Sequence, residues 1–307
     1  MKKICIVGAG RVGESTAQIL AKEELCREVV LLDIHEGVPQ GIALDIQQSA
    51  SLLRFDTRVT GDTDPAVMSG SDMIIITAGF PRKPGMSRSD VLEANLSIID
   101  GLVDHAMNFA PEAMIMMVTN PVDVLTWRAW QRSGWPRNRV FGQSGALDTA
   151  RMTSFIALET GYSIKDISAL VLGGHGDAMV PLPRFTDISG IPIEHFLDEA
   201  AIQQIAERTR QGGGEILALK KHSSAYDSPA AAIASMVDAI QHNRRRILPC
   251  VSILEGEYGQ QGIAMGVPAV LDENGLVKII ELKLNASEQK DFERSADMVR
   301  ADIKLLP

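Results

Sequence analysis

His175 lies in Gly-Gly-His-Gly-Asp, with Gly174 before it and Gly176 after it. Glycines on both sides remove side chains that would crowd the imidazole, which suits a group that must meet a ligand. With an ordinary pKa of about 6.5, such a ring can give and take a proton near neutral pH. Asp148 and Arg151 stand three residues apart at a helix start and so face the same way. The plain alternative there is a capping aspartate beside a surface arginine. Thr119-Asn120-Pro121 forms a polar stop after the apolar run Met114–Val118, where open α/β sheets bind ligands. Its Asn–Pro bond carries a low cis penalty. Gly79–Arg88, GFPRKPGMSR, follows another apolar run and sets two glycines, two prolines and three cations into ten residues.

The elements that must position these residues read as alternating strands and helices. Ile4–Val7, Val29–Leu32, Met73–Thr77, Met114–Val118 and Val140–Phe141 are apolar throughout, and helix-like segments separate them (Glu14–Lys22, Gly41–Gln48, Asp90–Asn108, Val122–Arg132). Strands of that kind belong in a parallel sheet covered on both faces. Right-handed crossovers then give a doubly wound Rossmann α/β domain over residues 1–142. Residues 143–307 change texture and predict an α+β substrate domain. Its helices are Thr149–Glu159, Glu199–Lys221, Ser228–Arg244 and Ser287–Leu305, and its strands Ile167–Leu172, Ile247–Leu254 and Val277–Leu284. No Pro/Gly/Ser-rich linker separates the halves, which predicts tight packing between them.

The segment IVGAGRVG places Gly8, Gly10 and Gly13 after a strand and before a helix. Glycines there permit a tight turn, close approach of the backbone to a pyrophosphate, and close helix–strand packing. Asp33 ends the next strand twenty residues after Gly13. A carboxylate at that point accepts hydrogen bonds from the adenosine ribose hydroxyls and repels a 2′-phosphate, so NAD is expected rather than NADP. The plain alternative is that Asp33 caps a helix.

The 307 residues carry a net charge of −9, which argues against nucleic acid or an anionic membrane as partner. Cys5, Cys26 and Cys250 are an odd, widely spaced set that fits neither a disulfide framework nor a zinc site. No apolar run approaches the roughly 20 residues of a membrane span. The N-terminus runs straight into the glycine motif, leaving no room for a signal peptide, so a cytoplasmic location is expected.

Taken in order, GAGRVG, LLDI, ITAGFPRKPGMSRSDVLEAN, VTNPVD, GQSGALDTAR, VLGGHGDAMVP, ERTRQGGGEI and LEGEYG resemble the lactate/malate dehydrogenase family, in its lactate-dehydrogenase-like bacterial and archaeal branch. The resemblance covers nearly the whole chain. It implies that His175 is the general acid/base, that Asp148 orients its ring, and that Arg151 clamps the C1 carboxylate of a 2-hydroxy or 2-keto acid. Asn120 would hydrogen-bond substrate. GFPRKPGMSR would be the loop that closes over the site, with Arg88 polarising the carbonyl and Lys83 solvated. Relatives that act on lactate have glutamine where this chain has Arg82. That residue therefore implies a second substrate carboxylate, as in malate and oxaloacetate. NAD contacts are implied for Gly8, Ala9, Gly10, Arg11, Val12, Gly13, Asp33, Thr77, Ala78, Gly79, Asn95, Val118 and Asn120.

The family forms homodimers and homotetramers, and a homotetramer is expected here, with contacts through the helices at Glu14–Lys22, Arg151–Glu159 and Ser228–Arg244. Two departures stand out. Trp127, Trp130 and Trp135 replace smaller residues or tyrosine, which predicts core or subunit packing. Asp227 stands where many relatives have tyrosine, beside the family's substrate pocket. The competing readings are action on lactate or another 2-hydroxy acid, and a non-catalytic NAD-binding protein.

Overall fold

The computed structural model describes residues 1–80, 88–221 and 223–306, with the backbone alone at 88–90. Arg82, Lys83 and His222 lie outside the described residues.

The first half contains β1 (Lys3–Val7), α1 (Arg11–Lys22), β2 (Glu28–Leu32), α2 (Val38–Gln48), α3 (Ala50–Leu53), β3 (Arg58–Asp62), β4 (Met73–Ile76), α4 (Arg88–Phe109), β5 (Met114–Met117), α5 (Val122–Ser133) and β6 (Val140–Gly142). Its strands run parallel in the order β3-β2-β1-β4-β5-β6. This is the doubly wound arrangement, with its topological switch between β1 and β4. Every residue of β4 is buried, as is all of β1 and β2 beyond the first residue. Helices on both faces of the sheet produce that pattern.

The second half contains α6 (Gly145–Thr160), β7 (Ile167–Ser168), β8 (Val171–Gly173), β9 (Met179–Pro181), β10 (Asp187–Ile188), β11 (Ile191–Pro192), α7 (Glu199–Lys220), α8 (Asp227–Gln241), β12 (Arg246–Glu255), β13 (Gln261–Asp272), β14 (Gly275–Ile279) and α9 (Ala286–Ile303). These strands do not make a separate large sheet. β12 pairs antiparallel with β6 through Val251 and Gly142, so β12, β13, β8, β9 and β14 extend the parallel sheet into one mixed sheet. One apolar cluster runs from Ile4 and Phe141 through Val180 and Met265 to Phe292, and it closes the seam between the halves.

Three of the departures from the sequence expectation concern how the sheets are built. β3 was not expected: it is an edge strand of mixed polarity, RVTGD, with only Val59 buried. β13 contains Gly262, Gly266 and Pro268, residues that usually argue against a strand. A Cβ at Gly266 would lie 2.6 Å from the Gly173 carbonyl oxygen, so β8 requires the glycine. Pro268 lies where the far edge of β13 passes from β8 to β14, so its missing N–H interrupts no ladder. The run Ile167–Leu172 divides into β7, in a small three-stranded sheet, and β8, in the large one.

Two of the three helices expected to form subunit contacts, α1 and α8, pack against each other within the chain. The tryptophans serve packing: Trp127 donates Nε1–H to the Gly262 carbonyl at 2.7 Å, Trp130 lies against the second core cluster, and Trp135 is buried under the Arg139 guanidinium. All three cysteines are buried free thiols, and burial pushes each up to about 12.

Candidate active site

The glycine turn sits at the C-terminal end of β1. Gly8 has φ +102°, and a Cβ there would lie 2.6 Å from the Ala78 nitrogen. A Cβ at Gly13 would lie 1.9 Å from the Gly8 carbonyl oxygen. Packing therefore fixes both glycines. Gly10 differs: a Cβ there meets nothing within 4 Å, so the N-terminus of α1 opens onto free space. The first intrahelical bond runs from Glu14 N–H to the Gly10 carbonyl at 2.8 Å, which leaves the amides of Arg11, Val12 and Gly13 for a ligand. A pyrophosphate fits that opening. Gly13→Ala is expected to destabilise the fold by about 1–3 kcal/mol and to weaken NADH binding. A melting curve and a fluorescence titration check this, and an unchanged pair would contradict the packing argument.

Asp33 follows β2. Its Oδ2 accepts from the Ala9 amide at 2.7 Å, and its Oδ1 accepts from the His35 amide at 3.1 Å and lies 2.7 Å from His35 Nδ1. Burial alone would raise this carboxyl, but those bonds outweigh it and hold Asp33 below the usual carboxylate range. Asp33 is not a helix cap, because the N-cap of α2 is Gly37. At the end of β4, Thr77 donates its hydroxyl to the carbonyls of Val7 and Gly8, at 3.1 and 3.0 Å, and ties the two strands across the switch point.

Asn95, buried on α4, joins the β4 and β5 exits. Its Oδ1 accepts from the Phe80 amide at 2.7 Å, and its Nδ2 donates to the Asn120 carbonyl at 2.9 Å. A Cβ at Gly79 would strike Thr119 and Asn95, so this crossing leaves no room for one. Val118 is half-buried and Asn120 is exposed. The Asn120–Pro121 bond is cis. Arg88 begins α4; its side chain lies outside the described residues, as does the whole of Arg82.

His175, in the turn after β8, reaches the same end of the sheet. Its Nδ1 lies 2.8 Å from Asp148 Oδ2, and Asp148 Oδ1 accepts from Arg151 Nη1 at 3.0 Å. Asp148 is therefore no surface cap: its side chain is 3% exposed, with Arg151 at 11% and His175 at 18%. Burial alone would lower the His175 pKa, but the charge and hydrogen bond of Asp148 overcome it, so the ring titrates above its ordinary value. With Nδ1–H given to Asp148, Nε2 is the nitrogen free to meet a ligand. Arg151 Nε is buried without a partner among the described residues, so the guanidinium still has a donor that is not hydrogen-bonded. α7 runs alongside it with Gly212 and Gly213, where added Cβ atoms would come within 3.2 and 3.5 Å of Arg151. The sequence signal was three glycines inside one helix, each costing about 1 kcal/mol relative to alanine.

Sequence reasoning assigned no role to Asp123 or Ser295. Asp123, the second residue of α5, accepts the His175 amide on Oδ2 at 2.8 Å, and Ser295 of α9 accepts the Gly174 amide at 2.9 Å. Burial pushes the Asp123 carboxyl up to about 6 even though the His175 amide and ring pull it down. Asp227 is exposed at the start of α8, beside Tyr226, whose ring lies under Lys220 Nζ at 3.6 Å.

The glycine turn over a helix N-terminus and the carboxylate after β2 define a dinucleotide-binding protein, and its crevice is faced by a buried histidine–aspartate pair. Residues 2–142 match the family model described as lactate/malate dehydrogenase, NAD binding domain, and residues 145–306 match its alpha/beta C-terminal domain. A malate dehydrogenase of Thioalkalivibrio sulfidiphilus is 63% identical over 306 residues, covering all of both chains. Among solved structures, malate dehydrogenase from Salinibacter ruber superposes with a TM-score of 0.94 at 43% identity, covering 99% of this chain and 97% of that one. Lactate dehydrogenase from Cryptosporidium parvum, complexed with lactic acid and NAD, gives 0.95 at 37% identity, with the same coverage. The chain belongs to the lactate/malate dehydrogenase family.

Proposed function

We propose that the chain catalyses the reversible oxidation of (S)-malate to oxaloacetate with NAD. The observation that carries the reading is the chain of contacts His175–Asp148–Arg151, which puts a proton-transfer group beside a guanidinium that has a donor left unpaired. Bound NAD supplies the hydride acceptor and donor. Gly8, Ala9, Gly10, Arg11, Val12 and Gly13 would hold its pyrophosphate at the α1 N-terminus, and Asp33 its adenosine ribose. Thr77, Ala78, Gly79, Asn95, Val118 and Asn120 would line the nicotinamide side, where Asn95 also holds two loops together.

His175 Nε2 gives a proton to the carbonyl oxygen in reduction and takes one from the hydroxyl in oxidation. Asp148 fixes the tautomer and favours the imidazolium. Arg151 pairs bidentately with the C1 carboxylate, which lysine could not do. Arg88 polarises the carbonyl as charge grows on its oxygen, Asn120 hydrogen-bonds the substrate, and Arg82 meets the second carboxylate.

The test is NADH oxidation with oxaloacetate, and NAD reduction with malate, each followed across pH. The folded pKa of His175 is raised, so its stabilising contribution is complete below about 6.5 and is lost as pH rises through the folded value. The reduction needs the imidazolium, so its kcat/KM falls as pH rises through that value, while malate oxidation rises over the same interval. Two profiles that move together would contradict the assignment.

The halves divide at 142/143, where β6 ends, into an NAD-binding domain and a substrate domain. A cytoplasmic location and a homotetramer belong to the same proposal. Large apolar side chains left at the surface, including Ile34, Leu52, Leu158 and Leu219, are consistent with subunit contacts. Among the described residues no helix is long and apolar enough to cross a membrane.

A further inference from the structure

We propose that Asp123, a residue of the NAD-binding half, is a positioning residue for His175: it holds the backbone amide of the histidine and so sets where Nε2 stands over the substrate. The inference rests on the function proposed above. Two consecutive amides of the turn, Gly174 and His175, donate to buried side chains of two different helices, Ser295 on α9 and Asp123 on α5. The turn itself is glycine-rich, with φ +86° at Gly173 and +87° at Gly176, so the backbone alone does not restrict it. The clamp supplies what the glycines lack.

Asp123 follows the cis Asn120–Pro121 bond by two residues. One short segment therefore carries both a substrate-contacting asparagine and the carboxylate that holds the proton donor. A residue needed only to favour the α5 N-terminus would not require burial, yet Asp123 is 6% exposed and its Oδ1 has no partner among the described residues. An uncompensated buried carboxylate oxygen is costly, and such costs persist where a site requires them. Among the described residues, the charged groups around the His175 ring and its turn are Asp148 and Arg151 from α6 and Asp123 from α5. α9 contributes the uncharged Ser295, and Asp177 of the same turn is exposed.

The test compares the full-length parent with Asp123→Ala and Asp123→Asn. It uses steady-state oxaloacetate reduction, NADH fluorescence titration, and NMR titration of the His175 ring in histidine-labelled protein, with the signal assigned by its absence in His175→Asn. NADH affinity should stay within about threefold. Asp123→Ala should lower kcat roughly 10- to 100-fold, as expected for a misplaced acid/base, with little change in KM. Asp123→Asn keeps an oxygen to accept the His175 amide, so most of kcat should return. With the negative charge gone, His175 should nevertheless titrate at lower pH than in the parent.

A folded Asp123→Ala with parental kcat would overturn the proposal, as would an Asn variant impaired as severely as Ala. If Asp123→Ala does not fold, Asp123→Ser, too short to hold the amide in place, stands in for it: a kcat lowered as expected for Ala supports the clamp, and a parental kcat overturns it. A parent that binds NADH but turns over no oxaloacetate would sink the proposed reaction instead, and the NMR titration would still judge Asp123.

Discussion

His175→Asn is expected to lower kcat for oxaloacetate reduction by roughly 10²–10⁴-fold, the usual contribution of a positioned acid/base, while NADH binding stays within a few-fold. Asparagine has similar width and can still donate to Asp148, so the buried carboxylate keeps a partner. What it lacks is a proton to release near neutral pH. The dinucleotide site is built from β1, α1, β2 and β4, and among the described residues none of its hydrogen bonds involves His175. Absorbance kinetics with NADH, together with a binding titration, separate the two effects. Turnover that survives the substitution would mean another group carries the proton. A parent as inactive as the variant would favour a non-catalytic NAD-binding protein.

Arg82→Gln is expected to remove most of the discrimination between oxaloacetate and pyruvate. Oxaloacetate brings a distal carboxylate for the guanidinium, whereas pyruvate brings a methyl group and would leave the arginine desolvated and unpaired. Breaking such a pair costs about 2–5 kcal/mol, or roughly 30- to 5,000-fold in kcat/KM. The loss should fall on oxaloacetate, and pyruvate should gain, because glutamine imposes no buried charge. The check is kcat/KM for both keto acids on parent and variant. If the ratio does not change, Arg82 does not select the substrate. Arg151 provides an internal comparison: in the proposed reaction it would pair with the carboxylate common to both keto acids, so its loss should weaken both alike.

The centre of the fold was legible because β1, β2, β4 and β5 are covered on both faces and so are almost wholly apolar, a pattern that survives without any knowledge of partners. β3 lacks that cover at the sheet edge, and its sequence looks like a loop. β13 was hidden because its glycine and proline answer to neighbours distant in sequence, with Gly266 opposite Gly173. In the site, His175 announced itself through its flanking glycines, and Asp148 with Arg151 through helical spacing. What spacing could not reveal was that both reach the same carboxylate–imidazole cluster across 27 residues of chain. Asp123 was less visible still: its partner is a backbone amide 52 residues away, and every residue but proline carries one of those. Asn95 shows the same limit, since its side chain binds the backbones of Phe80 and Asn120, which leave no mark in the sequence.

The most direct measurement is kcat/KM of the unaltered protein for oxaloacetate and for pyruvate, with NADH under one set of conditions. A preference for oxaloacetate of at least about 30-fold is expected, the lower bound for a matched against an unmatched buried charge. Equal rates, or a preference for pyruvate, would contradict it.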